Sequence, residues 1–281
     1  MIQVNKPADP FTAKMRKKAD DQTKSDCDAY DINPLGYSTA GPHRMKLPAV
    51  KSIYDASGRT KSALIGVIRV IIDGAKKKVG KCYFCEGRFP EGGLHIEHYR
   101  PKNGFQKSRG SVEVYPGYFW LAYTWDNLIL ACGECNGAKG TIFPLADETV
   151  RVLSHIEKNF LIRERPLLIN PAAIGVDPRD HITFADDAPV SDSAEGKATI
   201  ELLKLDYGKN KKERPFLKEE RLGLLENLRV RVNILDNSAQ YDSTAEGRQF
   251  LAETREYLEK AKSRESRFSS MAQDFLASFG F

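Results

Sequence analysis

The sequence predicts an α+β protein, mainly α-helical, built around a small strand-loop-strand-helix core. Three observations predict it. Two Cys-x-x-Cys pairs, Cys82 with Cys85 and Cys132 with Cys135, enclose a segment, LHIEHY from Leu94 to Tyr99, in which apolar and polar residues alternate at strand period. An apolar run, NLILAC from Asn127 to Cys132, supplies a second strand that enters the second pair. Beyond Leu145, apolar residues recur at helical spacing between polar connections.

The 281 residues suffice for one large domain or two modest ones. Residues 1 to 60 are polar and broken by Pro7, Pro10, Pro34, Pro42 and Pro48, which predicts a loosely packed N-terminal arm. Residues 61 to 145 form the core segment. Its entry, Ser62 to Lys78, places Leu64, Ile65, Ile68, Ile71 and Ile72 at helical spacing with lysines at the end, and a helix is expected there. The stretch ACGECNGAKG reads as a knuckle turning into a helix that carries Asn136 and Lys139. Residues 146 to 281 form a mainly helical C-terminal region, with helices expected at TIELLKLDYG, around Glu219 to Leu235, and over Ala245 to Phe279. The intermittent stripe Phe250, Leu251, Leu258, Ala261, Phe268, Met271, Phe275 and Phe279 in the last of these is read as core-facing, with a partner interface as the alternative.

Hydrophobic residues make up 41% and charged residues 29%, and no apolar run approaches a membrane span. The first residues lack the apolar stretch of a secretory signal, so a cytoplasmic protein is expected, without a membrane partner. Four of the five cysteines stand in metal-spaced pairs, with Cys27 left over, which suits a reducing compartment better than a disulfide framework. The net charge of +5 is uneven. Residues 1 to 110 hold 21 Lys and Arg against 11 Asp and Glu, and the remainder 22 against 27. The basic half contains HIEHYRPK, which fits a polyanion near that segment.

Two Cys-x-x-Cys turns complete a closed four-thiolate shell, the coordination of structural zinc. Such an ion leaves no position for substrate, so chemistry falls to the enclosed residues. His98 beside Glu97, with the amides of Asn127 and Asn136, supplies a base and oxygen ligands for a harder cation, magnesium or manganese. Neighbours on a regular strand point to opposite faces, so the strand is expected to end or bend at His98, and Pro101 fits that. Asn127 is placed to hold the loop through backbone hydrogen bonds. Arg100 and Lys102 follow the base closely enough to grip phosphates, while His43, His155 and His181 read as structural or surface residues. The aromatic residues Tyr115, Tyr118, Phe119, Trp120, Tyr123 and Trp125 are read mainly as packing under a long loop.

The strings CYFC, IEHYRPK, WDNLILACGECNGAKG and the following FPL, about 65 residues in all, resemble the HNH endonucleases with a ββα-metal core. The resemblance implies His98 as general base, Glu97 and Asn136 as ligands of the catalytic ion, Asn127 as the residue orienting the loop, and Lys139 near phosphate. It implies structural zinc on Cys82, Cys85, Cys132 and Cys135. Glu97 stands where the family more often has aspartate. Over most of the chain, YFWLAYTWDNLILACGECNGAKG, LLINP, DPRDHITF and TIELLKLD are similar to the HNH component of Septu-type antiphage systems, also found with some retrons. That likeness implies an ABC or SMC-like ATPase partner and a nucleic acid substrate, DNA ahead of RNA. A stand-alone restriction or homing nuclease, and a zinc-bearing binding module with a vestigial site, are the alternative readings.

Overall fold

A computed structural model describes residues 1–38, 50, 53, 59–65, 69–72, 75–208 and 211–281. About half of the chain is helical and the strands form small sheets. The site is built on a two-stranded antiparallel ladder. Strand β4 (Leu94–His98) pairs with β5 (Leu128–Cys132) in the register Leu94↔Cys132 to His98↔Leu128. Helix α4 (Gly133–Lys139) follows β5 directly and packs on both strands. Every residue of β5 is buried, as expected of a strand covered on both faces, whereas β4 exposes His95.

The entry to this core differs from expectation. Helix α3 (Arg59–Ile65) ends early, and β1 (Arg69–Ile72) pairs antiparallel with β2 (Ala75–Lys81), so a hairpin replaces the single helix expected over Ser62 to Lys78. Residues 66–68 and 73–74 of that stretch, like His43, lie outside the described residues. The physical reason is composition: β-branched residues dominate from Val67 to Ile72, and Asp73-Gly74 is a dipeptide that favours two-residue hairpin connections. Strand β2 then pairs with β3 (Arg88–Pro90), which makes the first cysteine pair the connection of a second hairpin.

The N-terminal segment is more ordered than a loose arm over its described residues. Helix α1 (Ala13–Ile32) is capped by Thr12, whose side chain accepts from the Met15 amide, and it packs on the 3₁₀ turn Phe119–Leu121. Met1 and Ile2 are buried. A short helix α2 (Pro34–Ser38) follows α1.

The C-terminal region is helical as expected: α5 (Ala194–Leu203), α6 (Pro215–Asp236), α7 (Ala245–Lys262) and α8 (Ser269–Ala277), with the small hairpin of β6 (Thr183–Ala185) and β7 (Ala188–Val190) before them. The last expected helix is two. The first ends where Ser263 turns extended, ψ 145°, and the second starts after Phe268, which is left-handed at φ 50° with its amide bonded to the carbonyl of Glu86. Leu128, Leu130, Leu203, Leu224, Leu228, Leu258 and Met271 belong to one continuous apolar core, which joins these helices to the ladder. Of the expected stripe, Leu251, Leu258, Ala261, Phe268, Met271 and Phe275 are buried, whereas Phe250 and Phe279 are exposed, so it faces the core only in part; the predicted aromatic residues other than Tyr115 are buried. Among the described residues, no helix is long and apolar enough to cross a membrane.

Candidate functional site

The ladder has chemistry at both ends. At the β5 exit, Cys132 closes the strand and caps α4, its sulfur accepting from the Cys135 amide at 3.5 Å. The first pair is brought alongside by the hairpin of β2 and β3: the Cys82 amide bonds the Gly87 carbonyl, the Tyr83 amide bonds Leu130 O, and Glu86 takes φ 64° to close the turn. The Cys132 amide also donates to Cys82 Sγ at 3.3 Å.

All four sulfurs lie within 4.8 Å of one another and all four cysteines are buried. Among the described residues this is the one group of three or more His, Cys, Asp or Glu ligand atoms gathered so closely. A tetrahedral shell with metal-sulfur bonds of ~2.3 Å separates the sulfurs by roughly 3.8 Å. Cys85 and Cys132 are 3.9 Å apart, which fits this shell and is far too long for a disulfide. Burial pushes the Cys82 thiol well up, and neighbouring sulfurs push Cys135 up while holding Cys85 well down. Several buried thiols this close cannot ionise together unless a cation shares the site, and a divalent ion supplies that charge. The cluster is therefore able to bind a metal ion, consistent with zinc.

At the other end, β4 stops at His98 and the chain turns away into Pro101, as the neighbouring Glu97 and His98 required. Asn127 makes this turn rigid. Its amide oxygen accepts from the Arg100 amide at 2.7 Å, and its Nδ2 donates to the carbonyls of Arg100 at 3.1 Å and Leu121 at 3.2 Å. The Tyr99 amide meanwhile bonds the Asn127 carbonyl at 2.8 Å. The expected amide clasp is thus present, with both the donor and the acceptor of the side chain in use.

His98 is 4% exposed. Its Nε2 lies 2.9 Å from the carbonyl of Ala122. A carbonyl only accepts, so Nε2 carries the proton and Nδ1 presents the lone pair. Lys102 Nζ stands 3.2 Å from that Nδ1. Burial, reinforced by the charge of Lys102, lowers the His98 pKa to about 3. The imidazole is neutral at ordinary pH, the form a proton acceptor needs.

Glu97, on the opposite strand face, is held by Lys139 from α4. Lys139 Nζ donates to Glu97 Oε1 at 2.6 Å and to the carbonyl of His98 at 2.9 Å. Among the described residues, no hydrogen bond occupies the second carboxylate oxygen of Glu97. The Asn136 side chain is half-buried, likewise without such a bond, and sits one turn before Lys139 on the same side of α4. A carboxylate oxygen and an amide oxygen are donor types that suit magnesium or manganese.

The three cations expected on phosphate have different surroundings. Lys102 stands beside the imidazole, its pKa lowered by burial while the Glu97 charge opposes the shift. Lys139 is fully buried and bonded inside the core. Arg100 directs Nε to Glu164 at 3.0 Å, and Glu164 also accepts from Tyr118 at 2.8 Å and from the Val152 amide at 2.8 Å. This buried network, joined by Arg151 through Tyr118, fixes the loop after His98 to the start of the C-terminal region. Sequence reasoning did not find Glu164 or Arg214, because neither has a motif and both act through contacts distant in sequence. His155 lies 3.4 Å from Asp31, and His181 bonds Ser193, consistent with structural roles.

Comparison with curated proteins finds Septu proteins. The chain is 32% identical over 160 residues to Septu protein PtuB of Bacillus mycoides (strain KBAB4), 56% of this chain and 51% of that protein. It is 34% identical over 131 residues to Septu protein PtuA of the same strain, 46% of this chain and 18% of that one. Septu protein PtuB of Bacillus thuringiensis is 30% identical over 128 residues, covering 44% and 36%. The chain thus spans about half or less of the length of the curated relatives it matches. No family model matches the chain, and no solved structure does.

Proposed function

We propose that this protein is a metal-dependent endonuclease of the HNH type, acting in a Septu-like antiphage complex. The observation that carries the reading is the state of His98: Nε2 is fixed as a donor by the Ala122 carbonyl, which leaves Nδ1, 3.2 Å from Lys102 Nζ, as the acceptor nitrogen at the end of a strand-strand-helix unit. Phosphodiester hydrolysis needs such a base, a cation and a fixed relation between them. His98 takes the proton of the attacking water at Nδ1. Asn127 holds the loop so that the imidazole keeps its direction. A magnesium or manganese ion, held by Glu97 and Asn136, would supply charge to the scissile phosphate and leaving oxygen. Lys139 orients Glu97, and Lys102, beside the base, meets a phosphate oxygen. The cysteine cluster with zinc fixes the far end of the ladder.

The similarity to both PtuA and PtuB supports membership of a two-protein defence system, with an ABC or SMC-like ATPase as the partner and DNA ahead of RNA as the substrate. Functionally the chain divides into residues 1–60 beside the core, the nuclease core 61–145 and the helical region 146–281. The test is cleavage of DNA and tRNA panels with magnesium or manganese, with and without the ATPase, by wild type, Glu97→Gln and Asn136→Ala. Metal-dependent cleavage that both variants lose is expected. No cleavage under any condition would favour a binding module instead, and full activity without an ATPase would favour a stand-alone nuclease.

A further inference from the structure

The four cysteines have a polar partner far along the chain. Arg214 is 2% exposed, and every nitrogen of its guanidinium is engaged. Nη1 donates to Cys135 Sγ at 3.4 Å and to the Leu203 carbonyl at 3.0 Å. Nη2 reaches Cys132 Sγ at 3.9 Å and Glu134 Oε2 at 2.9 Å, and Nε reaches the same carboxylate oxygen at 3.1 Å. Leu203 ends α5 and Pro215 begins α6. One side chain therefore joins the second knuckle to the end of one helix and the start of the next.

Charge explains why arginine stands here. Four thiolates around a divalent cation leave two net negative charges, and a buried excess of that kind requires nearby donors and a counter-charge. The fork of Arg214 touches both sulfurs of the second pair and carries a positive charge that never titrates away.

We propose that Arg214 is the positioning residue that couples metal occupancy of the cysteine cluster to the docking of the α5–α6 junction. Metal in the shell would hold both sulfurs in place for Arg214, and Arg214 in turn slows metal loss by bonding those sulfurs. This rests on the metal-binding reading of the cluster, so the metal content of the purified full chain is measured first. A wild-type protein without metal would refute that reading itself.

With metal present, wild type, Arg214→Lys and Arg214→Met are compared in three ways: zinc release to a colorimetric chelator, absorption of the cobalt(II)-substituted protein, and amide hydrogen exchange over residues 214–225 before and after chelation. Arg214→Met is expected to release zinc ten- to a hundredfold faster, the range for losing an outer-shell partner. Its sulfur-to-cobalt charge-transfer band should move to lower energy, because the sulfur donors lose a positive neighbour. Chelation should raise exchange at 214–225 in wild type, and Arg214→Met should exchange fast there even with zinc bound. Arg214→Lys, keeping the charge but not the fork, should fall between the two. If Arg214→Met does not fold, the lysine variant decides on the same readouts. Wild-type release and cobalt spectra in the folded variants, or exchange at 214–225 that ignores chelation in wild type, would overturn the proposal.

Discussion

The two ends of the β4–β5 ladder are made of the same strands and yet are opposite kinds of chemical environment. At the Leu94↔Cys132 end, four sulfurs face one another in a buried, closed arrangement of one ligand type. At the His98↔Leu128 end, roughly 13 Å away at strand rise, an imidazole, a carboxylate and an amide are gathered asymmetrically, with Lys102 and Lys139 beside them. Helix α4 connects the two, starting at Cys132 and returning over about 10 Å to place Lys139 on Glu97 and His98. On the proposed reading, one end holds a cation permanently and the other gains one together with substrate. The division explains why a structural ion is useful here: pinning one end of a short ladder fixes the direction of the helix that completes the other.

The largest expected effect breaks the sulfur end. Cys135→Ser should abolish stoichiometric metal binding and with it cooperative folding of the core, since a four-thiolate zinc shell contributes on the order of 10 kcal/mol. Elemental analysis and thermal unfolding check this, and full zinc occupancy in the variant would contradict the four-sulfur account. His98→Ala should leave zinc content near wild type, at a cost of about 2 kcal/mol for the emptied buried site, while removing the base, a loss of about 10³-fold in cleavage. A matched pair of zinc and activity measurements then separates the two ends.

Lys139 sharpens the comparison because the helix that starts at the sulfur end carries it to the other, where it bonds Glu97 and the His98 carbonyl. Lys139→Met leaves Glu97 without its buried cation and should cost about 3 kcal/mol in chemical unfolding while zinc stays bound. A smaller signature comes from pH. The pKa of His98 falls from its ordinary value near 6.5 to about 3 in the folded state, so the unfolded chain binds more protons between those values. Wild type should therefore lose stability as pH falls through that window, by at most about 1.4 kcal/mol per pH unit from this group. The difference between wild type and His98→Ala in melting temperature against pH isolates it. Identical pH profiles would show that His98 is not held neutral by the fold.

How much of this was legible depended on whether the determining contacts were local. The cysteine pairs, both ladder strands, the knuckle helix with Asn136 and Lys139, and the amide clasp of Asn127 follow from short-range pattern and spacing. The stretch from Ser62 to Lys78 misled because a continuous apolar run satisfies helical spacing while its β-branched residues favour a strand, a conflict that periodicity alone does not resolve. Helix α1 was hidden for the opposite reason: its sequence is so polar that only Ala19 and Asp26 are buried, leaving almost no apolar face to detect. Lys139, expected near phosphate, bonds Glu97, and Arg100 bonds Glu164. Such pairings join residues 42 and 64 positions apart and leave no mark in either segment.

The most direct measurement of the central claim is divalent-metal-dependent cleavage of nucleic acid by wild type and His98→Ala at equal, verified zinc content, each with and without the ATPase partner. The account predicts cleavage by the wild type that needs magnesium or manganese and falls about 10³-fold in the variant. Near-wild-type turnover by zinc-loaded His98→Ala would contradict it.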